Sequence, residues 1–450
     1  MHGEIQKGLP SIIVDNMDVR LDNVKLNLYV RIDCLGQIQY DLYLGIRWSA
    51  HPFGPVSIVQ ARFESLLTYF LEEIVSQLFT PISIGNLKLT HRVVMAPLTR
   101  SRADLPDDVP NDLMVEYYTQ RASSGGLIIG EATTISTGAR GWFGAPGLYS
   151  DKQVDGWKKI TAAVHAKKGF TFAQLWHTGR ASHVSVTGGP QPVSASVNPD
   201  YWNDPDKLTS TPGGWVQPSP HRALETSEIA GIVDDYRKAA ARAKQAGFDG
   251  VELHAANGYL IDQFLQNGCN KRTDAYGGSI ENRARLLLEV VDAMTSVWGV
   301  GRVGVRIGPD GKWNGMSDSD PKSLFTHVAK QLNRFGLAYL HIIEPRVKGN
   351  VVVAEGQGPI AAEYLRTIFT GKIVAAGGFE PDTAEAVVTK GDADLVAFGR
   401  YFVSNPDLPT RIKGRLPLSD YDRNTFYTFD ARGYIDYPEF TAGARAVASA

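Results

Sequence analysis

The stretch VELHAANGYLIDQF, residues 251–264, sets a histidine, an asparagine and a tyrosine, His254, Asn257 and Tyr259, within six positions. Val251 and Leu253 read as a short buried strand leaving the turn of GFDG, so His254 falls where the strand ends and the other two follow in the loop. Three hydrogen-bonding side chains then share one rim, the material of a polar binding site. A histidine beside an apolar strand is more often a satisfied core group, so the other strand ends have to decide between the two readings.

From about residue 92 to 403 short apolar runs alternate with long amphipathic ones. The apolar runs are RVVMAP, GLIIGEA, FTFAQLW, GVELHA, VGVRIG, YLHIIE, KIVAAGG and LVAFGR. Between most of them lie helical patterns such as SDKQVDGWKKITAAVHAKKG and SIENRARLLLEVVDAMTSVWG, opened by Ser and closed by Gly as caps. Eight strands alternating with helices predict an α/β fold of the (β/α)8 TIM-barrel type, whose working residues sit at the carboxyl ends of different strands.

In order, those ends carry Thr99, Glu131 with Ala132, Gln174, His254 with Asn257 and Tyr259, Arg306, Gly377 with Gly378, and Gly399 with Arg400. Amide, hydroxyl and cationic groups suit a polar heterocycle, and glycines beside an arginine suit a phosphate. Glycine lets backbone N–H groups approach an anion, a helix start adds its positive dipole, and a guanidinium grips with two hydrogen bonds. Either glycine group alone would pass for a tight turn, but the seventh and eighth strand ends are where such barrels place phosphate. Glu131 reads as a group that positions backbone or solvent.

A doubly wound sheet is the rival, and GVGRVG at 299–304 spells the dinucleotide fingerprint. Here a helix precedes it and a strand follows, the reverse of the required order, so Gly299 and Gly301 read as a helix stop and a turn. PISIGNLKLT at 81–90 predicts an N-terminal β-hairpin that plugs the barrel floor. Residues 179–224, rich in Pro, Gly and Ser without a helical period, predict a long lid loop after the third strand. The chain is therefore expected to comprise an N-terminal extension of unknown role (1–78), the barrel domain (79–440) and a C-terminal tail (441–450). Within the extension, alternation over 24–32 and 38–48 predicts a further hairpin, and LLTYFLEEIVSQLF, interrupted by Glu72 and Glu73, a packed helix.

Hydrophobic residues at 43% and charged ones at 21% are ordinary for a globular protein, and a net charge of −2 without long like-charged blocks argues against nucleic-acid or membrane-surface partners. Two cysteines, Cys34 and Cys269, are too few for a disulfide scaffold, a structural zinc site or a cysteine-ligated iron–sulfur cluster. No metal site is expected, since the histidines are scattered and no H-E-x-x-H or calcium-loop spacing occurs. No basic-then-apolar start and no apolar run of spanning length occur, so a cytoplasmic protein acting on a small molecule is the expectation.

HRVVMAPLTRSRA, AQLWHTGR, ELHAANGYLIDQFL, NKRTDAYGGSIENRARLLLEVV, VGVRIGP, AAGGF, FGRYFVSNPDLPTRI and YDRNTFYTFDARGYIDYP, in this order over roughly residues 78–440, resemble the old yellow enzyme family of FMN-dependent ene-reductases. The resemblance implies a tightly but non-covalently bound FMN. Pro97, Leu98 and Ala132 would line the flavin, Thr99 would hydrogen-bond its O4, Gln174 its pyrimidine edge, and Arg306 would stand by N1 and O2. Gly377, Gly378, Gly399 and Arg400 would take the ribityl phosphate, and Ala132 stands where some members have glycine. His254 and Asn257 would hold the carbonyl oxygen of an α,β-unsaturated substrate while hydride from flavin N5 reaches the β-carbon, and Tyr259 would protonate the α-carbon. Trp176, Phe426 and Tyr427 would form the substrate walls.

NADPH would reduce the flavin and leave before the substrate, an enone or enal, takes its place. The protein would be a monomer or a homodimer. The residues before 78 depart from the family pattern. Two other functions remain open at this point: a flavin-dependent isomerase or reductase step in a secondary-metabolite route, against which Tyr259 weighs, and a non-redox phosphate-binding isomerase or aldolase, against which the lack of a strand-end lysine weighs.

Overall fold

A computed structural model describes residues 19–21, 24–32, 38–46, 76–348, 351–352 and 360–441. The chain divides into two compact units, residues 1–72 and 73–450. In the first, Val24–Ile32 pairs antiparallel with Ile38–Ile46, and Val19–Leu21 adds a third strand beside Val24–Leu26. The hairpin expected from the alternation is present. Cys34, Trp48 and most of the expected helix over 66–79 lie outside the described residues, as does the tail after 441; the last residues of that helix, Gln77–Phe79, form a 3-10 turn. Within the second unit, the side chain of Ser76 and the backbone N–H groups of Gln77 and Leu78 donate to Glu385.

The second unit closes eight parallel strands into a barrel. They are β1 (Val93–Met95), β2 (Leu127–Thr134), β3 (Phe170–Trp176), β4 (Gly250–Ala255), β5 (Val303–Ile307), β6 (Tyr339–Ile343), β7 (Ile373–Ala376) and β8 (Leu395–Phe398). Each coincides with one of the apolar runs, and most are buried along their whole length because helices cover one face and the barrel core the other. The covering helices are α1 (Asp112–Arg121), α2 (Asp151–Ala166), α3 (Thr226–Gln245), α4 (Ile280–Trp298), α5 (Pro321–Leu332), α6 (Ala362–Arg366), α7 (Pro381–Thr389) and α8 (Leu408–Lys413). Their ends follow the capping signals: Ser150 and Gln153 form a reciprocal capping box on α2, and Gly299 (φ 75°) closes α4. Leu287, Val290, Val291 and Met294 form the buried stripe of α4, each such side chain contributing about 1.5–3 kcal/mol on burial. Among the described residues no helix is long and apolar enough to cross a membrane.

The hairpin Ile82–Ile84/Leu87–Leu89 turns its four apolar side chains into a cluster with Val94, Ile129, Phe172, Val374 and Leu395 of the barrel interior, as a plug should. Its turn abuts the turn before β5. A Cβ on Gly85 (φ +55°) would lie 2.5 Å from the carbonyl oxygen of Gly301, so the two backbones meet only because both positions are glycine. GVGRVG is thus a packing turn.

The segment after β3 is more ordered than its composition implies. It contains short helices Val184–Thr187 and Pro199–Asn203, a hairpin Thr209–Thr211/Gly214–Val216, and a parallel pairing of Val193–Ser194 with Arg222–Ala223. Long-range hydrogen bonds hold it: Thr209 Oγ1 donates to the Gly141 carbonyl, and Ser219 N to that of Ser182 at 3.0 Å. The expected loop is a small folded cap.

Candidate active site

β4 carries the organising residues. Side chains two apart on a strand share a face, so Glu252 and His254 both point inward, opposite Gln174 of β3 and Arg306 of β5 in the strand registers. His254 accepts a long hydrogen bond on Nδ1 from the Ala256 N–H (3.4 Å), which leaves the ring proton on Nε2. Burial, with Arg306 and His341 nearby, holds this imidazole well below its ordinary 6.5, so it is a neutral donor.

Beyond the strand, Asn257 adopts φ +57°, a left-handed conformation that asparagine tolerates, and its carbonyl accepts from Asn314 Nδ2 at 2.9 Å. The next peptide unit is gripped on both sides: Gly258 N donates to Asp262 Oδ2 (2.8 Å), and Gln263 Nε2 donates to the Gly258 carbonyl (2.7 Å). Tyr259 is then the N-cap of the short helix Leu260–Leu265. Its ring stands edge-on to Trp176 (4.9 Å) and to His254 (5.0 Å), and burial holds the phenol well above 10, so it keeps its proton.

One pocket at the carboxyl ends of the strands gathers nearly all the residues singled out from the sequence: Pro97, Leu98, Thr99, Ala132, Gln174, Trp176, His254, Asn257, Tyr259, Arg306, Gly377, Gly378, Gly399, Arg400 and Tyr427. A bulge between Ile129 and Ala132 in β2 sets where Ala132 and Glu131 point. Ala132 lines the pocket, while Glu131 accepts from Arg100 N (3.0 Å) and from Tyr118 Oη (3.2 Å), the positioning role read from the sequence. Gly377 has φ +116°, and a Cβ there would meet Val347 at 2.8 Å. Beside these glycines the Arg400 guanidinium lies 5.6 Å from the Tyr421 ring, and Tyr401 donates to Glu380.

Phe426 is a correction. It does not line the pocket; it is buried one layer behind, its ring beneath the Arg100 guanidinium (5.7 Å) and its carbonyl accepting from Arg100 Nε (3.1 Å) and Arg102 Nη1 (2.7 Å). Those arginine bonds turn the neighbouring Tyr427 inward instead. Tyr427 meets Trp142 (5.1 Å) and Trp215 of the cap hairpin (5.7 Å), an aromatic rim over the pocket.

Sequence reasoning passed over Trp142, Trp313, Glu380, Tyr401 and Tyr421 in the lining, and Glu252 and His341 beneath it. Glu252 had a signal: a carboxylate inside an apolar strand, two residues before a candidate histidine. The tryptophans had none, because loops far apart in the chain deliver them.

The NADH:flavin oxidoreductase / NADH oxidase family matches residues 77–419. The chain is 45% identical over 366 residues to 12-oxophytodienoate reductase 1 of Oryza sativa subsp. japonica, covering 80% of this chain and 92% of that protein. It is 43% identical over 384 residues to flavin oxidoreductase hxnT of Emericella nidulans, covering 80% and 97%. Among solved structures, the old yellow enzyme homologue from Zymomonas mobilis superposes with a TM-score of 0.76 at 43% identity, covering 81% of this chain and 99% of that one. Morphinone reductase in complex with tetrahydroNAD superposes with a TM-score of 0.75 at 48% identity, covering 82% and 99%.

Proposed function

The chain belongs to the old yellow enzyme family of FMN-dependent oxidoreductases, and from that premise we propose that its pocket reduces the activated C=C bond of an α,β-unsaturated carbonyl compound with NADPH as reductant. The observation that carries the reading is that one pocket joins Gly377, Gly378, Gly399 and Arg400, through Thr99, Gln174 and Arg306, to His254, Asn257 and Tyr259. A phosphate end, a polar middle and a proton-donating end lie in continuous space.

The residues fit FMN. Trp176 Nε1 and Arg306 Nε are buried donors with no partner among the described residues, and both residues line the pocket. Thr99, Gln174 and Arg306 would hold the isoalloxazine, Pro97, Leu98 and Ala132 would pack on it, and the glycines with Arg400 would hold the phosphate. FMN held there would supply hydride-transfer chemistry between the reduced nicotinamide and the activated alkene.

The chain's own groups do the rest. His254 Nε2–H and the Asn257 amide donate to the substrate carbonyl oxygen, drawing electron density from the alkene as negative charge develops there. Tyr259, held protonated by burial, donates its phenolic proton to the α-carbon. Trp176 and Tyr427, with Trp142 and Trp215 at the rim, exclude water.

The test is direct. Purified protein should be yellow with one FMN per chain and should oxidise NADPH on addition of 2-cyclohexenone, forming cyclohexanone. Colourless protein that cannot be reconstituted with FMN would refute the site; faster flavin reduction by NADH than by NADPH would correct the reductant alone.

A further inference from the structure

Below the polar middle of the pocket lies a buried pair, Glu252 and His341, that the proposed chemistry does not use. Glu252 of β4 is fully buried; its Oε1 accepts from Gln174 Nε2 at 2.7 Å and its Oε2 from His341 Nδ1 at 2.9 Å. His341 is also fully buried, and its Nε2 has no partner among the described residues. A neutral ring carrying its proton on Nδ1 accounts for both facts, because the other tautomer would turn a lone pair toward the carboxylate. Burial pulls His341 below 6.5, in keeping with a neutral ring. Both oxygens of Glu252 accept hydrogen bonds, the pattern of an ionised carboxyl, and against burial, which acts to raise its pKa, those bonds from His341 and Gln174 and the charge of Arg306 act to lower it.

The registers show what this charge is beside. Glu252 pairs laterally with Gln174 on one side, and Arg306, next along the barrel on β5, pairs with His254 and His341. With His341 neutral, the cluster contains, among the described residues, one anion, Glu252, and one cation, Arg306, whose Nε has no hydrogen-bond partner there. The two residues proposed to touch the flavin's pyrimidine edge are thus the two that Glu252 holds, one by hydrogen bond and one by charge.

We propose that Glu252 is a positioning and charge-setting residue: it fixes the Gln174 amide and partly neutralises Arg306, so that bound FMN is a stronger reductant than the arginine alone would make it. The proposal rests on FMN binding as described above. Two-electron reduction of a flavin leaves negative charge on the pyrimidine edge. A full positive charge there would stabilise the reduced form and favour flavin reduction at the expense of alkene reduction, whereas a paired one balances the two. The field of a unit charge at this range in a low-dielectric interior is not negligible.

The experiment measures the midpoint potential of bound FMN by reductive titration against a reference dye. In Glu252→Gln the ratio of reduced to oxidised flavin at fixed potential should rise at least tenfold, a shift of about +30 mV for a two-electron couple. Stopped-flow should show flavin reduction by NADPH faster and alkene reduction slower, opposite signs that a merely loosened site would not give. Glu252→Asp, which keeps the charge, should restore most of the wild-type potential. If Glu252→Gln does not fold, the double variant Glu252→Gln/His341→Gln replaces the pair with two amides that satisfy each other and removes the same single charge, so the same rise is expected. Flavin bound at an unchanged potential in whichever of the two charge-removing variants folds, Glu252→Gln or Glu252→Gln/His341→Gln, overturns the proposal; wild-type protein that binds no FMN overturns the underlying function instead.

Discussion

Two groups of arginines lie deep in this molecule and end differently. Behind β1 and β2, Arg100 donates to the carbonyls of Phe426 and Gly433 and to Tyr117 Oη, and Arg121 donates to the carbonyls of Tyr117, Phe402, Val403 and Tyr434. Tyr117 and Tyr434 stack at 4.0 Å between them, and the Arg121 guanidinium sits 3.7 Å from the Tyr117 ring. Burial pulls Arg121 down to about 10, still protonated at neutral pH. Inside the barrel mouth, Arg306 opens on the pocket and its Nε meets no acceptor among the described residues. A buried cation whose donors end on protein oxygens is structural; one left with an open donor beside a cavity is a candidate for a ligand. The clamp should therefore govern stability and the mouth should govern chemistry.

The largest expected effect separates them from the side of the mouth. Tyr259→Phe should slow alkene reduction by about 10²–10⁴, the usual contribution of a positioned proton donor, while flavin reduction by NADPH and the melting temperature stay near wild type. Stopped-flow absorbance of the two half-reactions decides it; small parallel changes in both would make Tyr259 a wall residue.

From the side of the clamp, Arg100→Met should cost about 3 kcal/mol of stability in denaturant titration, because the buried Gly433 carbonyl and the Tyr117 phenol lose a donor and the Phe426 carbonyl keeps Arg102 alone. Flavin reduction in the folded fraction should be unchanged. A variant of wild-type stability that loses its flavin would reverse the division between clamp and mouth.

The smallest effect concerns pH. His254 is held neutral and Tyr259 protonated by burial, so alkene reduction should change less than about twofold between pH 6 and 8. Asp262, which burial pushes up to about 7, is the nearby group that titrates in this window, and it reaches the site through the Gly258 N–H, its other oxygen accepting from Gln266 Nε2. A tenfold limb near pH 7 that persists in Asp262→Asn would mean that His254 or Tyr259 itself titrates.

Much of this site is legible along the chain because a barrel places chemistry at strand ends, and strand ends are local features. The run GVELHA followed by ANGY was enough to place His254, Asn257 and Tyr259 together, and AAGG and FGR to place the glycines with Arg400. Phe426 and Tyr427 show the limit. They are adjacent and both aromatic, and which one faces the pocket depends on Arg100 and Arg102 capturing the Phe426 carbonyl from more than 320 residues away. The cap after β3 was hidden for the same reason, since its hydrogen bonds reach to Gly141 and across the cap itself rather than following a helical or alternating pattern.

By itself, then, the sequence determined the strands, the helices with their caps, the plug and the set of residues at the barrel mouth, because periodicity, capping and strand order are properties of neighbours in the chain. Only the tertiary structure decided that Glu252 pairs with Gln174 and His341, that Gly258 is held between Asp262 and Gln263, and that Trp142, Trp215 and Tyr427 share a rim. A buried charge takes whichever partners the closed barrel brings within hydrogen-bond reach, and closure joins residues that no local pattern relates.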